Sequence, residues 1–349
     1  MSARTPVPDA PTPALSREGL LDWLHTRTRL QRRHVDRILR RAEQMQGHSP
    51  DRYHPAPLNP DRAGDQSDCF EIAPLERAAT FPPRNRLFIK QLNDPRYHEA
   101  WHYLALTPAG APVPVLYGWM SNADGHEVLF LEHLHMGFTD ESLSPEDTRY
   151  ETFIRLIARF NALQPPTRYL AQLPLADLPG ILEDAAPALP TLVAHGRRGG
   201  LGTDVRRLLT RGPHPDAHLA AQLRALVRRL RAMPIALIHG DLFPRHVGVR
   251  ADTGDWRVID LLYTQRGPRL FDLAPFLGAP EDATPLLADR RRELARAYLD
   301  SLGPAPNAPR DVGELLAEVE ALWLGWEMRC LRRWILSALE EGSNGVYRD

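Results

Sequence analysis

Two acids and one lysine, far apart along the chain, carry the chemistry of this sequence. An apolar run, Pro-Ile-Ala-Leu-Ile, delivers His239, Gly240 and Asp241 into a tight turn. His246 follows five positions after Asp241, and a second strand, Trp256 to Ile259, ends at Asp260. Carboxylates at the mouths of two adjacent strands can face one cleft, where one orients a hydroxyl and the other holds a metal ion. Beyond them come Gly267 and the run Asp272-Leu273-Ala274, which opens a new apolar segment.

The basic residues add a second clue. Of 43 lysines and arginines, Lys90 is the one lysine. It closes the apolar stretch Leu87-Phe88-Ile89, with Glu99 downstream. A compact ammonium on a flexible stem and a planar guanidinium are not interchangeable. A chain that uses arginine at every other basic position and lysine here points to a chemical need for the ammonium.

The ordered set His-Gly-Asp, a strand, Ile-Asp, then Gly and Asp-Leu-Ala resembles the aminoglycoside phosphotransferase and choline kinase family, over about residues 60–340. The resemblance implies an α+β, two-lobed protein-kinase-like fold, with a small, mainly antiparallel sheet lobe and a larger helical lobe. It implies an enzyme moving the γ-phosphoryl group of ATP (or GTP), with Mg2+, to a hydroxyl of a sugar, an amino alcohol or an aminoglycoside-like molecule. Asp241 would be the catalytic base and Asp260 the magnesium ligand. His239 would brace the catalytic loop, and Asp272 would tie it down. Lys90, positioned by Glu99, would contact the triphosphate. The segment Gly64 to Phe70 is similar to the loop over the phosphates, with Gly64 and Ser67 as the contacts. Val128 to Leu134 resembles the linker between lobes, where backbone groups of Glu132 to Leu134 would read the base.

Two departures from the family pattern stand out. His246 takes the place of the second metal-binding asparagine, and Leu261 replaces the usual aromatic after Asp260. Imidazole is a softer ligand than an amide oxygen and suits magnesium poorly. His246, Ile259-Asp260-Leu261 and Gln265 are similar to the corresponding residues of kinases acting on lipopolysaccharide core sugars. The rival implied by His246 is a kinase-like nucleotide-binding or scaffolding protein with impaired catalysis.

Hydrophobic periodicity and breaker residues outline the elements that must position these groups. Residues 1–15 read as a flexible, proline-rich tail and 16–60 as a helical extension. Its helices fall near Ser16 to His25 and Arg29 to Gln46, the second with a basic face (Arg32, Arg33, Arg37, Arg40, Arg41) read as solvated. The nucleotide-binding lobe spans 61–134, with strands at Cys69 to Ala73, Arg86 to Gln91, Pro114 to Trp119 and Glu127 to Glu132. Within it Asp94 and Pro95 predict a helix over Pro95 to Leu106. His98 and His102 on that helix read as surface residues. The remainder, 135–349, reads as the catalytic and acceptor-binding lobe, with helices at Pro145 to Leu163, His214 to Ala232, Pro285 to Leu302 and Asp311 to Glu341. Arg266 and Arg269 could meet phosphate or cap a turn.

Composition excludes several classes. A formal net charge of -1 provides no global field for nucleic acid. Cys69 and Cys330 alone cannot build a disulfide framework or a clustered zinc site. Met1 to Leu15 lacks an apolar stretch of signal-peptide type, and no segment has the length to cross a bilayer. The expected partners are a nucleoside triphosphate and a small hydroxyl acceptor, in a reducing cytoplasm.

Overall fold

The computed structural model describes residues 13–47, 49–58, 67–75, 86–136, 143–185, 215–279, 288–304, 308–323 and 325. In chain order, α1 (Arg17–Thr28) and α2 (Arg32–Gln46) precede β1 (Arg52–Pro57), β2 (Ser67–Leu75) and β3 (Leu87–Leu92). Next come α3 (Ala100–Leu106), β4 (Leu116–Ser121), β5 (Glu127–Glu132) and β6 (His135–Met136). Helices α4 (Thr148–Asn161), α5 (Thr167–Gln172), α6 (Leu178–Ala185) and α7 (Pro215–Arg231) follow. Then come β7 (Ile235–Ile238), β8 (Val247–Val249), β9 (Trp256–Val258), β10 (Gln265–Pro268), α8 (Ala274–Leu277) and α9 (Ala288–Leu302). The chain divides into two compact units: 1–140 with 243–262, and 141–242 with 263–349.

The first unit is built on an antiparallel sheet of order β1-β2-β3-β5-β4. Lys90 lies in its interior, opposite Cys69 of β2 and Leu129 of β5. Helices α1 and α2 complete the sheet's core: Leu20, Leu21, Leu24, Val35, Ile38 and Leu39 join Phe70, Ile72, Ile89, Val128 and Phe130 in one buried cluster. The Ser16 side chain accepts from the Gly19 N–H and fixes the start of α1. Arg29 ends α1 in a left-handed conformation, φ 56°, so α2 starts at Arg32 rather than at Arg29. Strand β1 falls where a helical extension was expected. Pro55 and Pro57 mask its strand pattern, and its place at the sheet edge tolerates them.

The helix expected over Pro95 to Leu106 is shorter. Asp94 accepts the Arg96 N–H at 2.8 Å and the Tyr97 N–H reaches the Asp94 carbonyl at 3.0 Å, which makes a local turn. Helix α3 begins only at Ala100, after Glu99. His102 is 3% exposed, not a surface residue, because α3 turns it inward. His98 precedes the helix. A small sheet of order β6-β8-β9 completes this unit.

The second unit is mostly helical. Helix α4 starts at Thr148, where Asp147 caps it by accepting the Arg149 N–H, and it packs on α9 and on β7. Strands β7 and β10 pair antiparallel, with Ile238 opposite Gln265. The last helix expected, Asp311 to Glu341, is observed over 312–323; its continuation lies outside the described residues. Among the described residues no helix is long and apolar enough to cross a membrane.

Candidate active site

In the first unit the strand lysine and two acids come together. Lys90 Nζ donates to Glu99 Oε2 at 2.6 Å and to Asp260 Oδ1 at 2.7 Å. Glu99 is fully buried, and its Oε1 accepts the Leu261 N–H at 3.0 Å and the Tyr103 hydroxyl at 3.2 Å. One carboxylate therefore grips both the lysine and the backbone next to Asp260. Burial works against the Lys90 ammonium, but the charges of Glu99 and Asp260 outweigh it and hold its pKa above the ordinary lysine value. Removing one partner of such a buried pair costs about 3–5 kcal/mol.

Asp260 follows β9 with φ 61°, left-handed geometry that a non-glycine residue seldom adopts. His246 closes a short 3-10 turn, Pro244–His246, and its carbonyl accepts the Ile259 N–H at 3.0 Å. Its Nε2 lies 3.6 Å from Asp260 Oδ2. Among the described residues no group of three or more His, Cys, Asp or Glu is arranged to hold a metal. One carboxylate suffices for magnesium when phosphate and water oxygens fill the other positions. Asp260 offers a hard oxygen for that need, and His246 beside it offers a softer imidazole nitrogen.

One acid of this cluster escaped the sequence reading. Glu127, 2% exposed at the start of β5, accepts the N–H groups of Glu99 and Ala100 through Oε2, at 2.6 and 2.9 Å. Burial raises its pKa, partly offset by these two bonds. The available signal was a carboxylate heading the apolar run Val128 to Leu131, where nothing solvated belongs.

The second unit holds the other half of the motif. Strand β7 ends at Ile238, and Gly240 turns the chain with φ 86°. A Cβ there would sit 2.5 Å from the Tyr263 carbonyl and 2.7 Å from Gln265 Nε2, so glycine is required on both counts. The Asp272 carboxylate accepts the His239 N–H at 2.8 Å, the Gly240 N–H at 2.9 Å and Asn161 Nδ2 at 3.1 Å. His239 is fully buried, with its ring against Phe160. Its Nδ1 accepts the Asp241 N–H at 3.3 Å, which requires that nitrogen to be unprotonated. Asn161 also accepts the Tyr298 hydroxyl at 3.1 Å. Nothing in the sequence pointed to Asn161, because it reaches Asp272 across 111 positions.

The remaining candidates have definite places. Ser67 opens β2 with its hydroxyl 3.8 Å from the Cys69 thiol, while Gly64 and Cys330 lie outside the described residues. Glu132 ends β5; its carboxylate accepts the Val115 N–H at 3.1 Å and pairs with Arg250 at 2.8 Å. Leu134 is buried against Gly248. Arg269 pairs with Glu314 and Glu318, and Arg266 donates to the Leu173 carbonyl, so both have structural partners. On α2, Arg32 pairs with Glu18 and Asp22, and Arg40 with Asp36.

A five-stranded antiparallel sheet followed by a mostly helical region, with this motif set, defines the protein-kinase-like class of α+β transferases. The chain belongs to the phosphotransferase enzyme family, whose pattern matches residues 91–322. That span begins one residue after Lys90, so the lysine's place rests on the geometry above. Among solved structures, the GDP complex of a variant aminoglycoside 2'-phosphotransferase-IIIa matches with TM-score 0.50 and 14% identity, over 89% of this chain and 94% of the other. An ethanolamine kinase of Plasmodium vivax matches with TM-score 0.48 and 16% identity, over 85% and 78%. An aminoglycoside-3'-phosphotransferase of type VIII gives 0.43 and 20%, over 83% and 98%. No curated protein matches the sequence.

Proposed function

We propose that the protein is a small-molecule kinase that moves the γ-phosphoryl group of ATP or GTP to a hydroxyl of a sugar, an amino alcohol or an aminoglycoside-like acceptor. The observation that carries this reading is the Lys90 ammonium held between the carboxylates of Glu99 and Asp260. Nothing in a sheet interior needs that arrangement for folding alone, since well-packed apolar residues of similar volume are often as stable as a buried ion pair. It suits a group that must present positive charge to phosphate oxygens.

In this reading Asp241 accepts the proton of the acceptor hydroxyl as its oxygen attacks the γ-phosphorus and the bond to the bridging oxygen breaks. Lys90 orients the triphosphate, and Glu99 fixes Lys90. Asp260 would supply the protein carboxylate that holds Mg2+, and the bound ion would offset the charge of the phosphate oxygens. His239 and Asp272 hold the Asp241 loop. Backbone groups of Glu132 to Leu134 would meet the base, and Gly64 and Ser67 are the residues assigned to the phosphates. A cytoplasmic setting supplies the nucleotide.

The test is acceptor-dependent nucleotide consumption across a panel of hydroxyl metabolites, with Mg2+ and Mn2+ compared. Asp241→Asn should lower turnover by about 10²–10⁴-fold and leave nucleotide affinity largely intact. Undiminished turnover in that variant defeats the assignment. The His246 imidazole beside Asp260 favours a second reading, a nucleotide-binding protein without transfer. Nucleotide binding with no phosphorylated product across the panel would support it, and one turned-over acceptor would end it.

A further inference from the structure

Glu99 is asked to do three things with one side chain: hold the Lys90 ammonium, the Leu261 N–H and the Tyr103 hydroxyl. Its own backbone has little local support. It stands at the head of α3, a helix of 7 residues, without a side-chain cap of its own making. The preceding segment is a turn closed on Asp94, not a helical turn that could carry Glu99 forward. Short helices are marginal in isolation, so something outside α3 must fix its first residues.

Glu127 does this from the sheet. Its Oε2 accepts both the Glu99 and the Ala100 N–H, two of the donors that a helix start leaves without an intrahelical partner. Its other oxygen lies 3.9 Å from His98 Nδ1. Leu129, two positions on along β5, is the cross-strand partner of Lys90. Side chains two apart on a strand share a face, so Glu127 and Lys90 project from the same side of the sheet. β3 supplies the lysine, β5 the carboxylate that seats the helix start, and Glu99 links them.

We propose that Glu127 is a positioning residue for the nucleotide site, acting through the backbone of Glu99 to keep Lys90 in its ion pairs. The site-level consequence rests on the phosphotransferase reading; the positioning itself does not. A carboxylate that only stabilised α3 would affect folding without a selective effect on Lys90.

Lys90 is the chain's one lysine, which makes the idea measurable without any activity. Its acylation by a succinimidyl ester, read by mass spectrometry on the full-length protein, reports how firmly the ammonium is held. Glu127→Leu leaves two buried N–H groups without an acceptor and should raise the Lys90 acylation rate roughly 10-fold. Glu127→Gln keeps an acceptor oxygen and should stay within about 3-fold of wild type. Glu99→Gln should raise acylation by itself, and adding Glu127→Leu to it should change little, because both act through one contact. Should Glu127→Leu fail to fold, Glu127→Asp, whose carboxylate is one methylene short, gives the same reading with a smaller rise.

In a folded Glu127→Leu protein, unchanged Lys90 acylation overturns the proposal. So does an effect fully additive with Glu99→Gln. In turnover assays Glu127→Leu should raise KM for the nucleotide about 10-fold and leave KM for the acceptor unchanged, whereas an equal rise in both would count against positioning. A wild type that neither binds nor consumes nucleotide defeats the phosphotransferase reading alone, since the acylation result stands independently.

Discussion

Lys90 and Asp260, separated by 170 positions, meet at 2.7 Å, Nζ to Oδ1. The lysine arrives on an inner strand of the five-stranded sheet, and the acid arrives just after β9, in a segment that returns to the same unit. The pair ties two distant stretches of chain together, and Glu99 stabilises both ends by holding the ammonium and the Leu261 N–H.

The pH dependence of this pair has a definite sign. Lys90 has a folded pKa above its reference value of 10.5, so its ion-pair contribution to stability is complete below pH 10.5 and is lost as pH rises through the higher folded value. The stability difference between wild type and Lys90→Met, from denaturant melts, should be constant from pH 7 to about 10 and shrink only above that. A difference already shrinking between pH 8 and 9 contradicts the arrangement.

Asp272 accepts three hydrogen bonds, two of them from the backbone of the His239-Gly240 turn. Asp272→Ala should destabilise the protein by about 3 kcal/mol or more, since bonds to a charged acceptor are worth about 1.5–3 kcal/mol each. Asp272→Asn, which keeps one acceptor oxygen, should cost less. Chemical denaturation of both variants measures this, and equal stability of Asp272→Ala and wild type excludes the role.

Gly240→Ala should fail on two grounds, a left-handed φ of 86° and a Cβ that meets the Tyr263 carbonyl. A loss of stability of about 1–3 kcal/mol is expected, with turnover falling by about 10²-fold as Asp241 shifts. Gly254→Ala provides the control: its φ is also positive, 73°, but nothing crowds its Cβ, so it should lose stability without losing turnover. Parallel thermal melts and turnover assays separate the two.

His246→Asn replaces an imidazole near Asp260 with an amide oxygen, a harder ligand. Under the phosphotransferase reading, the variant should shift the ratio of Mg2+- to Mn2+-supported turnover toward magnesium by about 3-fold or more. An unchanged ratio would place His246 outside the metal's reach.

Much of the candidate site was legible because its motifs are local. His239, Gly240 and Asp241 are contiguous, Asp260 closely follows a short strand, and Lys90 stands out as the one lysine in a chain whose other basic residues are arginine. Alternation and breaker residues located β2, β3, β4 and β5 to within a few residues, and Glu127 to Glu132 without error. Local signals misled where two of them competed. Asp94 and Pro95 resemble a helix start, yet the aspartate spends its carboxylate on the Arg96 N–H, and α3 starts at Ala100 instead.

What the sequence by itself determined was a set of candidate side chains and the order of the elements that carry them, since both depend on spacing along the chain. Only the tertiary structure decided which carboxylate holds Lys90, that Glu127 seats Glu99, and that Asn161 shares Asp272 with the His239 turn. Each of those bonds joins residues brought close by strand register and helix packing. A buried polar group takes whichever partner the folded chain puts within reach, because leaving it unpaired costs more than any local preference can offset.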